Sequence, residues 1–225
     1  MPTVNASSND GYVANSQTTW NAARAGATGS SVSSTATRSS YAINTAKTAV
    51  RGGGYTFTVS RAFFQFDTSG IESEVESATF KVYGYSQSGG DIIAVKATSD
   101  IATLNTADFD AITGWNAIGT NGSGGADMES AVTKYSDEIA SWSTSGYNDI
   151  TLTSDALSDM EDDDDLYICL INYDYDLKDI ASTGYISHRT GLYWEDYTGT
   201  STDPYIDYTL ATVAGDNAVF FATNI

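Results

Sequence analysis

The chain has 225 residues, with 29 acidic against 10 basic side chains and a formal net charge of −19 at pH 7. A field of that sign repels phosphate, which removes nucleic acid and anionic membrane surfaces as expected partners. Hydrophobic residues make up 41% and aromatics 12%, too much for a disordered acidic chain, while 27 Ser, 29 Thr and 15 Tyr favour exposed β-sheet over a helical bundle.

In chain order, Gly11-Tyr12-Val13-Ala14-Asn15 reads as a first short strand. Residues 25–40, nearly all Ala, Gly, Ser and Thr, carry little that anchors a core and read as a surface loop or an edge excursion, with disorder as the alternative. Gly52-Gly53-Gly54 punctuates the chain before its strongest β signal, residues 55–66, which alternates and then turns continuously apolar at Ala62-Phe63-Phe64. That switch fits a central strand covered on both faces.

Asp67-Thr68-Ser69-Gly70 has turn chemistry. The next strand, residues 78–85, places Ala78, Phe80 and Val82 on one face, in one core with Phe64 and Phe66, and turns Lys81 and Tyr83 toward water or a partner. Further strands are expected at residues 91–97, 149–153, 166–171, 184–187 and 205–210, and short helices at 106–112 and from Ser154 through Met160. These short strands, with turn signals between them and no βαβ alternation, predict an all-β, antiparallel two-sheet sandwich over residues 1–212. Residues 213–225 form an apolar tail outside the strand pattern.

Cys169 is the sole cysteine, so no intrachain disulfide is expected. The N-terminus has neither a basic start nor an apolar run, so a secretory signal is not expected. No stretch approaches the roughly 18 consecutive apolar residues of a membrane span.

Three segments carry a resemblance: Asn9-Asp10-Gly11-Tyr12-Val13; Arg61-Ala62-Phe63-Phe64-Gln65-Phe66-Asp67-Thr68-Ser69-Gly70-Ile71 running on to residues 77–83; and Tyr197-Thr198-Gly199-Thr200-Ser201-Thr202-Asp203-Pro204-Tyr205-Ile206-Asp207-Tyr208. Together they resemble the DNRLRE-type, carbohydrate-binding-module-like jelly-roll domains found in tailed-bacteriophage and prophage structural proteins. The resemblance implies a jelly roll and a non-enzymatic virion component, such as a capsid decoration, head fibre or tail appendage. Its implied partners are other virion proteins and further copies of itself, with host-surface glycan as a ligand. The alternative it leaves open is a carbohydrate-binding module acting in polysaccharide attachment.

The residues themselves argue little for catalysis. His188 is the sole histidine and has no nucleophile motif around it, and neither a Gly-x-Ser-x-Gly nor a His-Glu-x-x-His pattern occurs. Tyr193, Trp194, Glu195 and Tyr197 form the best sugar-binding cluster, because aromatic planes beside a carboxylate can stack on a ring and accept its hydroxyl hydrogen bonds, although aromatics of this size more often fill a core or a subunit interface. Asp174, Asp176 and Asp179, like the run 161–165, could supply oxygen ligands to Ca²⁺, though crowded carboxylates more often just repel one another on a solvated turn, and alternation with Tyr173 and Tyr175 fits a half-exposed strand end. Val219, Phe220, Phe221 and Ile225 in the tail are the expected assembly contact, docking on an adjacent subunit, with cover for an end of the same domain as the alternative.

Overall fold

The structure, a computed structural model, describes residues 1–34, 37–98, 103–115, 128–195, 197 and 199–212. The tail residues Val219, Phe220, Phe221 and Ile225 therefore lie outside the described residues. The strands are β1 (Thr3–Asn5), β2 (Gly11–Gln17), β3 (Ser31–Ser33), β4 (Arg38–Ala49), β5 (Tyr55–Asp67), β6 (Val75–Gln87), β7 (Ile92–Lys96), β8 (Tyr147–Thr151), β9 (Asp165–Asn172), β10 (Ser187–Tyr193) and β11 (Tyr205–Leu210). Every pairing between them is antiparallel. The all-β expectation holds.

β5 is the central strand that its apolar run predicted. β2 pairs along one edge from Gly11↔Phe63 to Gln17↔Phe57, while β4 and then β9 share the other edge. Because successive side chains alternate in direction, Ala62, Phe64 and Phe66 enter one core while Val59 and Phe63 enter a second on the opposite face. In the first core Phe80 of β6 meets Phe64 edge-on at 5.0 Å and Phe66 at 5.3 Å. Ala78 and Val82 join them, as the alternation required.

β6 links two groups of strands. Its first part pairs with β11 and β8, and its last residues pair with β10, which continues through β4 to β5. Gly84 sits at that crossover, where a Cβ would run into the Ser143 carbonyl; only glycine permits this close backbone approach. The β4–β5 hairpin turns through Gly52, Gly53 and Gly54, all near φ +100°, a region open to glycine.

The helical expectations hold in place. Asn105 caps a 3-10 turn at Thr106–Asp110 through a reciprocal bond with Asp108, and helix α2 covers Ser154–Asp162. Asp67 accepts the Ser69 backbone N–H at 3.1 Å, forming the expected turn.

Three readings need correction. Residues 25–40 are only partly a loop, since β3 and the start of β4 fall inside them. β4 has few large apolar side chains and owes its strand state to ladders with β5 and β10 on its two sides. The strand expected at residues 184–187 is instead β10, because Tyr185 and Ile186 are exposed and pairing begins at Ser187. Helix α1 (Trp20–Arg24), capped by the Thr19 side chain, was not anticipated.

Candidate functional site

The outer face of β6 and its neighbours carries a continuous row of tyrosines. β6 contributes Tyr83 and Tyr85, since these alternate with the inward Val82 and Gly84. Register then brings Tyr147 of β8 opposite Tyr83 and Tyr205 of β11 opposite Lys81. The rings pack edge to face: Tyr197–Tyr193 at 4.7 Å, Tyr193–Tyr83 at 5.5 Å, Tyr193–Tyr85 at 5.6 Å, Tyr83–Tyr147 at 5.2 Å and Tyr147–Tyr205 at 5.3 Å. All six are half-buried, so each ring is held by its neighbours and still reaches solvent.

Charged groups border the row. The Arg38 guanidinium lies 4.5 Å from the Tyr85 ring centre and donates to the Tyr193 hydroxyl at 3.2 Å. Lys81 donates to Asp149 at 2.8 Å, with Asp207 3.8 Å away. The Tyr83 hydroxyl donates to the Ser145 carbonyl, and that of Tyr147 lies 3.2 Å from the Ser201 and Asp203 carbonyls. Burial, with Tyr205 and Asp203 nearby, pushes the Tyr147 hydroxyl up to about 12, so it stays a neutral donor at physiological pH.

Beside Tyr147 runs a groove of about 640 Å³, lined on one side by residues 136–143 and on the other by β8 and its continuation to Thr153. Its polar lining includes Asp137, Ser141, Asp149 and Thr151. A ligand lying across Tyr147 would therefore touch rings on one side and carboxylate and hydroxyl groups on the other.

Of the four residues expected to bind sugar, the structure brings Tyr193 and Tyr197 together in this row and removes Trp194. The Trp194 side chain is 1% exposed and packs between Phe64, at 5.3 Å, and Tyr12, at 6.5 Å. Its direction follows from β10, whose alternation sends Leu192 inward and Tyr193 outward and continues to send Trp194 inward. Glu195 is half-buried, and its backbone N–H donates to Asp10 at 3.0 Å.

The chain matches no family model, and no similar curated protein was found.

The calcium set also separates. Residues Tyr173–Leu177 form a π-helical turn rather than a strand end, capped by Asn172, whose side chain accepts the Tyr175 backbone N–H. Asp176 consequently turns into the second core, 0% exposed, where Arg61 grips it bidentately at 2.8 and 2.9 Å. Asp179 accepts the Trp20 indole N–H at 2.8 Å and lies 3.4 Å from Arg24. Both carboxylates are thus committed to arginines or indole and do not join Asp174 in a shared cation site.

Asp174 instead meets Asp91 and Glu138, with carboxylate oxygens of all three within 4.8 Å of one another, and accepts the Asp91 backbone N–H at 2.9 Å. These three could form part of the oxygen shell of a hard cation. A hydrogen bond to Asp91 raises the Glu138 carboxyl above its ordinary range, with burial and the Asp91 charge adding to it and Lys178 opposing.

His188 stacks on Tyr175 at 3.9 Å, and burial lowers its pKa, leaving a neutral ring in a packed position. Cys169 is fully buried, and desolvation pushes its thiol well up, away from thiolate chemistry.

Proposed function

We propose that this chain is a non-enzymatic jelly-roll β-sandwich serving in many copies as a structural component of a tailed-phage particle, whose tyrosine face takes a host-surface glycan. The resemblance of three segments supports the particle reading, and those segments neighbour one another: β2 beside β5, β11 beside β6, and Ala6 bridged to Phe66. The sandwich reading draws support from the Phe64–Phe80 core, where strands of the β6–β8–β11 group face those of the β5–β9–β7 group.

The observation that carries the glycan reading is the six-tyrosine row continuous with a polar groove at Tyr147. Sugars present C–H faces and hydroxyl edges, and this surface offers ring faces beside carboxylates, an arginine and hydroxyls. The same surface would serve a module for polysaccharide attachment, and capsid or tail genes beside this one would favour the particle reading.

The test is a glycan-array screen followed by calorimetry on any hit. Tyr193→Ala and Tyr147→Ala should each weaken binding about tenfold or more, roughly 1.4 kcal/mol, with the fold intact. A wild-type chain that retains no glycan, or equal binding by both variants, would overturn this use of the face.

A further inference from the structure

Charge is distributed unevenly along the chain. Residues 11–66 contain five cations, Arg24, Arg38, Lys47, Arg51 and Arg61, and no carboxylate, although the whole molecule carries −19. Arg24 and Arg61 are buried, leaving Arg38, Lys47 and Arg51 near the surface. Two of these lie at the hairpin end of β4 and β5. Arg51 is exposed in the Gly-rich loop, and the Lys47 ammonium sits 4.3 Å from the Tyr55 ring centre.

The same end exposes apolar surface. Val50 is 45% exposed, Tyr55 43%, Tyr185 67% and Ile186 50%. The Tyr55 and Tyr185 rings are 5.8 Å apart, and the Lys47 backbone N–H donates to the Ile186 carbonyl, so the four residues form one patch. In a chain with a net charge of −19, an exposed apolar cluster framed by lysine and arginine stands out as a contact surface.

β5 leads from this end to its opposite. It runs 13 residues from Tyr55 to Asp67, about 40 Å at the usual rise. At the far end Asp67 pairs with Asp165 of β9, and the exposed Asp162, Asp163 and Asp164 lie in the corner between α2 and β9. A groove of about 460 Å³ opens there, lined by Lys96, Thr98, Asp163, Asp164, Asp165 and Tyr167 among others, and its one lysine, 2.8 Å from Asp159 and 3.9 Å from Asp163, is outnumbered by carboxylates. One end of the molecule is thus apolar and cationic, and the other is grooved and anionic.

We infer that the chain associates head to tail with a second copy of itself, the β4–β5 hairpin end seating on the Asp162–Asp165 corner of its neighbour. Opposite charge draws these ends together, while like charge over the remaining surface disfavours other orientations. The contact is heterologous, so repetition gives a ring if the rotation closes and a filament if it does not. The inference rests on the many-copy part of the proposed function and uses none of the glycan-facing tyrosines.

The test is sedimentation velocity of the intact protein over a concentration series in low salt and at about 1 M ionic strength, where charges are screened beyond about 3 Å. Mass should rise with concentration in low salt and fall to the monomer in high salt. Arg51→Glu should be monomeric, and so should Asp162→Lys combined with Asp164→Lys. An equimolar mixture of these two proteins should regain the lost mass, because each tip then meets an oppositely charged corner. Unchanged far-UV spectra separate this result from misfolding. A wild-type chain that stays monomeric throughout, or association that survives Arg51→Glu, overturns the inference, and association lost only on truncation after Thr212 assigns the contact to the tail. Glycan binding by the monomeric Arg51→Glu protein should match wild type, so failure of one proposal leaves the other readable.

Discussion

The two faces of the β5 sheet are closed by different means. One face is covered by other strands, and its core is a continuous apolar set from Phe64 and Phe66 across to Phe80, Val82 and Ile206. The other is covered by α1, the 3-10 turn and the π-helical turn, and beside Phe63 and Val59 it buries Arg24, Arg61 and Asp176. Strands bring their own ladder partners, so the first cover needs few polar side chains, with Asn148 holding the Val82 and Ser143 carbonyls and the Trp142 indole that of Gly191. Irregular chain leaves carbonyls without partners, and a buried carbonyl must find a donor. The arginines supply them: Arg61 donates to the carbonyls of Phe109 and Arg24, and Arg24 to those of Asp176 and Leu177. Asp176 then neutralises a guanidinium that serves as a scaffold for loops.

Removing Asp176 should break this contrast most severely. Asp176→Ala leaves Arg61 buried without its carboxylate and should cost about 3–5 kcal/mol, as for other broken buried pairs. Chemical denaturation measures it, and a loss under about 1 kcal/mol would mean that the loop carbonyls alone suffice for Arg61. Phe80→Ala, in the predominantly apolar core, belongs to the same range of about 3–5 kcal/mol through its cavity. The two variants should differ in where the damage falls: hydrogen exchange should quicken around residues 103–115 and 173–177 in the first, and along β6, β8 and β11 in the second.

The same division decides what could be read in advance. β5, β6, β9 and β11 show period-two or continuous apolar runs, so their existence and the Phe64–Phe80 core were legible. β4 was not, because its few large apolar residues, Tyr41 and Ile43, make no run that stands out from the Ala/Ser/Thr stretch before it, and ladders with its neighbours hold it as a strand. Tyr83 was correctly turned outward by alternation, and the Tyr193 and Tyr197 rings, expected in one cluster, lie 4.7 Å apart. Trp194 was misplaced because the strand was expected at 184–187, which left 193–197 without the alternation that sends Tyr193 outward and Trp194 inward. Tyr147 and Tyr205 needed the register of β6 with β8 and β11, which no local pattern contains. The fates of Asp176 and Asp179 depended on a π-helical turn that the Tyr-Asp alternation disguised as strand.

A smaller effect is expected on the tyrosine face. Tyr193→Ala removes a half-buried ring that packs on Tyr83, Tyr85 and Tyr197. Lost edge-to-face contacts of about 0.5–1.5 kcal/mol set the scale of the destabilisation. Thermal melting should fall by a few degrees, far less than in Phe80→Ala, and a loss as large would mean that the row is a third core rather than a binding surface.

The smallest expected effect concerns the three carboxylates at Asp91, Glu138 and Asp174. The Glu138 carboxyl titrates above its ordinary range because it bonds to Asp91 beside that charge. A folded value raised over the unfolded one, about 4.3 for glutamate, means that the folded state holds the proton more tightly. Its stabilising contribution is therefore complete below the unfolded value and is lost as pH rises through the folded one. Glu138→Gln keeps a neutral hydrogen-bonding group at every pH. The variant should melt with wild type at low pH and slightly above it at neutral pH, where the native carboxylate faces Asp91 and Asp174 ionised. Millimolar calcium should close that neutral-pH gap if the three oxygens accept a cation, by mass action on the folded state. Equal melting temperatures for the two proteins at neutral pH, in calcium and in chelator alike, would mean that the cluster relaxes into solvent and holds neither proton nor metal.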